Sequence, residues 1–180
     1  MIQTPQDSFL RHASTAACAA GHIFPDYAAC EAALESTWGQ SRLAREANNL
    51  FGQKQCVDEG NGIGTLALPT QEFLRGQWVT VTAHWARFAD QAACFRARMA
   101  LLGRLQHSYP AYARALAAAT GEVFIEEVSR AWSTDPARAQ KVLAIYRQHC
   151  ASFLPLIPAM VATHAVRPAA SPVTSMAAII

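Results

Sequence analysis

Glu35 is the side chain of this sequence whose surroundings best suit acid–base chemistry. An apolar run from Tyr27 to Leu34 precedes it and Gly39 follows it, which predicts a helix with Glu35 in its last turn and Gly39 at C′. A carboxylate there faces the negative end of the helix dipole, and Leu34 and Trp38 would exclude water from it. Both effects would raise a glutamate pKa, as a general acid for glycosidic bond cleavage requires.

The same position also fits a solvated surface residue, because most glutamates near helix ends face water. Glu31 lies one helical turn before Glu35 on the same face. If both side chains entered one cleft, their repulsion would raise one of the two pKa values. A place for Glu31 on the outer face or rim of the molecule is the favoured interpretation.

The residues around Glu35 resemble the signature of the glucosaminidases of glycoside hydrolase family 73. These are the peptidoglycan hydrolases of flagellar-rod proteins, autolysins and some endolysins. The resemblance covers roughly residues 4 to 147 and is most specific between 32 and 52. The matching segments are Ala-Leu-Glu-Ser-Thr-Trp-Gly at 33–39, Ser41-x-Leu43-Ala44, and Asn-Asn-Leu-Phe-Gly at 48–52.

This resemblance implies a mainly α, lysozyme-like small domain of about six helices with one β-hairpin lobe. It makes Glu35 the catalytic acid, and it places a second acidic residue on the hairpin in a Thr-x-Glu pattern. Thr70-Gln71-Glu72 matches that pattern, so Glu72 is the second catalytic candidate. The alternative for Glu72 is an exposed strand residue without a role.

A second motif, Trp132-Ser133-Thr134-Asp135-Pro136, resembles the family's Tyr-Ala-Thr-Asp-Pro, whose tyrosine lines the cleft. Trp132 can stack on a sugar and donate an N–H, but it has no phenolic hydroxyl, so any role that needs one is in doubt. A buried core position is the alternative. The substrate-binding candidates are Trp38, Asn49, Phe51 and Trp132, and weaker ones are His84 and Trp85.

Composition predicts one helical domain. The chain has 180 residues, of which 52% are apolar, enough for a core, and we assign 1–152 to the catalytic domain and 153–180 to a Pro/Ala-rich, partly ordered tail. A net charge of +2 without a Lys/Arg run argues against nucleic acid as a partner and suits an anionic cell wall weakly. No apolar run is long enough for an integral membrane segment. We expect a monomer.

Cysteine and histidine spacing indicates no metal and no other cofactor. Five cysteines, an odd number, are scattered without a C-x-x-C pair, and the six histidines show no H-x-x-x-H spacing. Buried free thiols are the favoured interpretation, and one disulfide after export is left open. The polar start, residues 1–7, lacks a basic n-region, which predicts a chain made in the cytoplasm without a signal peptide. It would act on the wall, in the periplasm or outside, after release or export.

Turn and capping signals predict where the elements lie. Helices are expected from Thr4 to about Ala20, from Pro25 through Glu35, and at 41–47, 91–105, 109–119, 122–132 and 137–150. Strands are expected at 66–73 and 77–81, and Gly60 and Asn61 belong to a loop at 56–64.

The predicted activity is hydrolysis of the β-1,4 bond between N-acetylglucosamine and N-acetylmuramic acid in peptidoglycan strands, by an endolysin or an autolysin. Glu35 would protonate the leaving oxygen. Glu72 would activate water, or the substrate's own N-acetyl oxygen would attack while Glu72 orients it. Two alternatives remain: a lytic transglycosylase or muramidase on the same fold, and a non-catalytic wall-binding or assembly domain.

Overall fold

The computed structural model describes residues 4–54 and 62–150, and within them the side chains of 72–74 are left undescribed. The predicted loop residues 56–61 and the predicted tail 153–180 lie outside this part. Seven helices and one hairpin follow in chain order: α1 Pro5–Ala19, α2 Pro25–Ser36, α3 Arg42–Ala47, β1 Thr65–Leu74, β2 Gln77–Ala86, α4 Gln91–Leu105, α5 Pro110–Leu116, α6 Gly121–Trp132 and α7 Arg138–His149.

Helix α2 is the centre of the molecule, in contact with α1, α6 and α7. Ala28, Cys30 and Glu31 are all buried although they lie on different sides of this helix, so neighbouring helices approach it from more than one direction. A helix that is apolar nearly all round belongs in a core. This burial fixes the position of the last turn of α2, which carries Glu35.

The helix starts follow the capping signals of the sequence. Thr4 forms a capping box with Asp7 at the start of α1, and Ser41 accepts a hydrogen bond from the Ala44 N–H at the start of α3. Asn48 ends α3 in the left-handed conformation, with φ of 51°. In the described part of the chain, no helix is long and apolar enough to cross a bilayer.

The antiparallel hairpin turns at Arg75 and Gly76, whose φ values are 51° and 84°, as the predicted tight turn requires. The second strand is longer than predicted, since it runs to Ala86 rather than ending at Val81. The reason is non-local: the Ala86 N–H donates to the Gln53 carbonyl, and the Ala86 carbonyl accepts from the Asn49 side chain. The base of the hairpin is therefore anchored to the loop after α3.

Helix α5 ends at Leu116, three residues earlier than predicted, and Gly121 begins α6 rather than closing α5. Thr120 caps α6 by accepting from the Val123 N–H. A Cβ at position 121 would lie 2.1 Å from the ring of Tyr27, so only glycine allows the start of α6 to approach α2 this closely.

Candidate active site

Glu35 lies in the last turn of α2, as the sequence predicts, and the end of this helix is held by several hydrogen bonds. The helix ends at Ser36, and Thr37 and Trp38 are left-handed, so Trp38 rather than Gly39 occupies C′. Ser36 Oγ donates to the Ala32 carbonyl at 2.6 Å and accepts from the Gly39 N–H at 2.8 Å. The backbone beside Glu35 is thus fixed before any substrate arrives.

The Glu35 side chain is accessible and is contacted by one cation. It is 25% exposed, and its Oε1 accepts a hydrogen bond from Arg138 Nε at 2.8 Å. Among the described residues, Oε2 has no hydrogen-bond partner. One carboxyl oxygen is therefore held in place, and the other is available to a substrate atom.

Glu31 occupies the interior of the molecule, so the prediction of an outer-face or rim position was wrong. It is 1% exposed, and its Oε1 accepts from Arg98 Nη2 and from Arg138 Nη2, each at 2.6 Å. Burial alone would raise the pKa of Glu31, but the two guanidiniums and their hydrogen bonds outweigh burial and lower it to about 2. Glu31 is therefore a buried anion that is paired with two buried cations, one of which also contacts Glu35.

Arg138 uses all three of its guanidinium nitrogens. Nε donates to Glu35, Nη2 donates to Glu31, and Nη1 donates to Ser129 Oγ at 2.8 Å. Because the guanidinium is planar and only 2% exposed, these three bonds fix its orientation. The first residue of α7 is thereby tied to α2 and α6, and Glu35 is held by a group that cannot itself move freely.

Sequence reasoning missed both arginines. Glu31 carried the available signal, since a charge within an apolar helix needs a buried partner, but which arginine supplies it depends on the tertiary fold. The Thr-Asp-Pro motif held a second signal. Asp135 accepts a hydrogen bond from the Ala137 N–H at 2.9 Å, and this turn leads directly into α7, with Arg138 at its first position.

Trp132 is half-buried, and one face of its indole is already occupied. The Arg98 guanidinium carbon lies 3.4 Å from the ring centre and 5.1 Å from that of Phe51. Among the described residues, Arg98 Nε and Nη1 have no hydrogen-bond partner, and the guanidinium contacts the two aromatic faces instead. A sugar can therefore stack only on the opposite face of Trp132.

We expect Trp132→Phe to retain most activity and stability, because a ring remains over Arg98. Trp132→Ala should lower the melting temperature, since it removes a cation–π contact worth about 2 kcal/mol when desolvated, and should also raise KM. Paired thermal and kinetic measurements on both variants separate the two effects. A fall in melting temperature with unchanged KM would make Trp132 a core residue alone.

Asn49 and Phe51, predicted to bind substrate, support the loop after α3 in this structure. The Asn49 amide nitrogen donates to the carbonyls of Gln53 and Ala86, at 2.8 and 2.9 Å, and its oxygen accepts from the Gln53 N–H. Phe51 is 3% exposed and packs edge-on against Phe95. Leu50 and Phe51 both belong to the buried core cluster, so they pin this loop to the core.

The remaining candidates are distributed around α2 and the hairpin. Trp38 is half-buried and packs edge-on against Phe9 and His149, with ring centres 6.3 and 5.2 Å away. Trp85 is half-buried near Lys54 Nζ, and His84 is exposed on the same strand. Glu72 pairs with Val79 in the hairpin, and its side chain lies outside the described part.

A cavity of about 330 Å³ lies at the junction of α6 and α7, with Ser129, Ser133 and Asp135 in its wall. Ser129 in its wall accepts a hydrogen bond from Arg138, which also contacts Glu35, and the predicted site residues do not line it. We therefore place the candidate active site at the exposed Glu35 oxygen rather than in this cavity. The described residues include no group of three His, Cys, Asp or Glu side chains placed to hold a metal ion.

Comparison with known proteins places this geometry among the glucosaminidases. The family model described as "Glucosaminidase: Mannosyl-glycoprotein endo-beta-N-acetylglucosaminidase" matches residues 11–151. The exo-glucosaminidase LytG of Bacillus subtilis is 38% identical over 69 residues, which are 38% of this chain and 23% of that protein. The chain therefore matches less than a quarter of the length of this curated relative.

Solved structures agree with this match. A C-terminally truncated glycoside hydrolase domain of FlgJ from Salmonella typhimurium superimposes with a TM-score of 0.64 and 28% identity, covering 81% of this chain and 98% of that one. The catalytic domain of the autolysin Auto from Listeria monocytogenes gives a TM-score of 0.69 at 23% identity, over 83% and 87% of the two chains. The expected fold class is confirmed, with seven helices in the described part instead of about six.

Proposed function

The chain belongs to the glucosaminidase family, and from that membership we propose that it hydrolyses the β-1,4 bond between N-acetylglucosamine and N-acetylmuramic acid in peptidoglycan. The observation that carries this proposal is the Glu35 carboxyl group, partly exposed at the end of the central helix with one oxygen held by Arg138. A positioned carboxyl group with a free oxygen is what proton delivery to a glycosidic oxygen requires.

In this mechanism, Glu35 Oε2 faces the leaving oxygen and transfers its proton as the bond to the anomeric carbon breaks. Arg138 holds Oε1, so the carboxyl group does not have to be ordered by the substrate. The oxocarbenium-like transition state then needs a negative group or an activated water on the other ring face. Glu72 is proposed for that role, with the substrate's N-acetyl oxygen as the alternative nucleophile.

Analysis of the released fragments tests the bond that is cut. Digestion of purified peptidoglycan followed by reduction and mass spectrometry should give fragments with reduced N-acetylglucosamine ends. Reduced N-acetylmuramic acid ends would instead identify a muramidase, and anhydro ends a lytic transglycosylase. Absence of any cleavage by a well-folded protein would favour a non-catalytic wall-binding or assembly domain.

We expect Glu72→Gln to slow glycan cleavage less than Glu35→Gln does, because water or the N-acetyl group can partly replace a base but not the acid. Glu72 lies on a hairpin that is anchored at its Ala86 end, while the tip residue Trp78 is 68% exposed. We therefore expect the hairpin to close over bound glycan, and the two carboxyl groups to be more than ~9.5 Å apart without it.

The comparison is between the cleavage rates of Glu72→Gln and Gln71→Ala, a substitution at the preceding residue of β1. The Gln71 variant should behave as the wild type. An unchanged rate for Glu72→Ala would leave the mechanism to Glu35 and the substrate alone.

The place of action is also a proposal. We propose that the protein reaches the wall in the periplasm or outside the cell after release or export, as an endolysin or autolysin, and acts as a monomer on glycan strands. Size-exclusion chromatography with light scattering tests the monomer. Turbidity loss of intact cells on external addition, compared with permeabilised cells, tests access to the wall.

A further inference from the structure

Two cysteines that are distant in sequence face each other in the core. Cys30 of α2 and Cys150 at the end of α7 are both buried, and their Sγ atoms are 3.6 Å apart although 120 positions separate the residues. Tyr27, about one helical turn before Cys30, and Tyr146, about one turn before Cys150, stack at 3.9 Å between the same two helices. The contact between the thiols is therefore part of a packed helix pair.

A disulfide needs the sulfurs at about 2.05 Å, so they must approach by about 1.5 Å. Cys150 is the C-cap of α7, so a small backbone or side-chain adjustment there leaves the helical turns before it in place. Among the described residues, neither of the other two cysteines contacts a second thiol: Cys18 is exposed on α1, and Cys94 is buried beside Gln53 and the Leu50 N–H.

We propose that Cys30 and Cys150 form a disulfide site that clamps α7 to α2 when the protein folds in an oxidising environment. In the reaction, one thiolate attacks the disulfide of an oxidant such as oxidised glutathione or a protein disulfide, releasing one thiol. The second cysteine then attacks the mixed disulfide and releases the other thiol. Two protein thiols are oxidised and one external disulfide is reduced to two thiols.

The clamp would connect the same helices as the ion pairs at the active site. Helix α2 carries Glu31 and Glu35, and α7 begins with Arg138, so a covalent bond between Cys30 and Cys150 joins the two helices at a second point. A cross-link between residues 120 positions apart restricts the unfolded chain strongly. We expect the melting temperature to rise by about 10 °C on oxidation.

Burial determines when this bond forms. The hydrogen bond with Cys150 and the loss of water raise the pKa of Cys30 well above its ordinary value, so Cys30 in the folded protein contains little reactive thiolate. We therefore expect the disulfide to form while the chain folds, or when the end of α7 opens transiently. Once formed, the buried disulfide should resist reduction by reductants that act on the folded protein.

Oxidative refolding of the full chain tests the proposal without relying on its enzymatic activity. Denatured, reduced protein is refolded in a glutathione redox buffer, remaining thiols are alkylated after unfolding, and linked peptides are mapped by mass spectrometry. The expected product contains a Cys30–Cys150 linkage and melts about 10 °C above the reduced form. The exposed-thiol control Cys18→Ser should behave identically, and Cys150→Ser should lose the shift.

Two results would overturn the proposal. One is wild-type protein whose Cys30 and Cys150 are both alkylated after oxidative refolding. The other is a linkage of either cysteine to a different partner as the main product. The peptide map of the wild type decides in either case, even if Cys150→Ser fails to fold.

Discussion

Glu35→Gln is expected to lower the rate of glycan hydrolysis at least about 100-fold, the usual range for loss of a general acid, with the fold retained. Glutamine keeps the shape of the side chain, and its oxygen can still accept the hydrogen bond from Arg138 Nε. The glutamine side chain lacks an acidic proton that can be transferred to the leaving oxygen. The change therefore removes a chemical step while leaving the surrounding contacts in place.

Glu46→Gln is the matched control. Glu46 is exposed on α3, and its partner Arg42 is an exposed residue of the same helix, so its loss should change neither activity nor stability appreciably. The release of soluble muropeptides is compared between the variants. Circular dichroism and the melting temperature show whether each variant is folded. Near-wild-type hydrolysis by a folded Glu35→Gln protein would remove Glu35 from the mechanism.

The position of Glu35 could be predicted because its causes are local. An alanine-rich apolar run, a following glycine and a serine cap at position 41 are readable within about fifteen residues. Arg138 could not be predicted in the same way. It contacts Glu35 across 103 positions of sequence and Glu31 across 107, and only the packing of α7 against α2 brings these side chains together.

The hairpin shows the same division between local and distant causes. Its turn follows from Arg75-Gly76, but the length of β2 depends on the anchoring of Ala86 by Asn49 and Gln53, which come more than thirty positions earlier. The motif that this chain shares with the glucosaminidases predicts that Asn49 binds substrate. The structure gives it three hydrogen bonds to backbone groups, a role for which that motif alone contains no evidence.

Glu31→Gln is expected to destabilise the protein by about 3–5 kcal/mol at pH 7, the usual cost of removing one partner from a buried ion pair. The substitution keeps the shape of Glu31 but leaves Arg98 and Arg138 buried, both directed at a neutral group. Glu35 then remains as the one anion in contact with Arg138, and it is partly exposed. Urea unfolding of the wild type and the variant measures the difference in free energy.

The same substitution should remove a specific part of the dependence of stability on pH. The pKa of Glu31 is lowered from 4.5 to about 2 in the folded protein, so the unfolded chain binds this proton more readily. Its contribution is therefore complete above pH 4.5, where Glu31 is ionised in both states, and is lost as the pH falls towards 2. A shift of this size corresponds to about 3 kcal/mol.

Unfolding free energies measured from pH 7 to pH 2 should thus show the gap between wild type and Glu31→Gln closing below pH 4.5. A variant that also replaces Arg98, Glu31→Gln with Arg98→Met, should recover part of the loss, because one unbalanced buried cation is removed together with its anion. A gap that stayed constant down to pH 2 would show that the loss of stability does not come from the charge of Glu31. If the single and double variants lost the same free energy of unfolding, Arg98 would not contribute to this charge balance. Arg138 would then be the cation that matters for both glutamates.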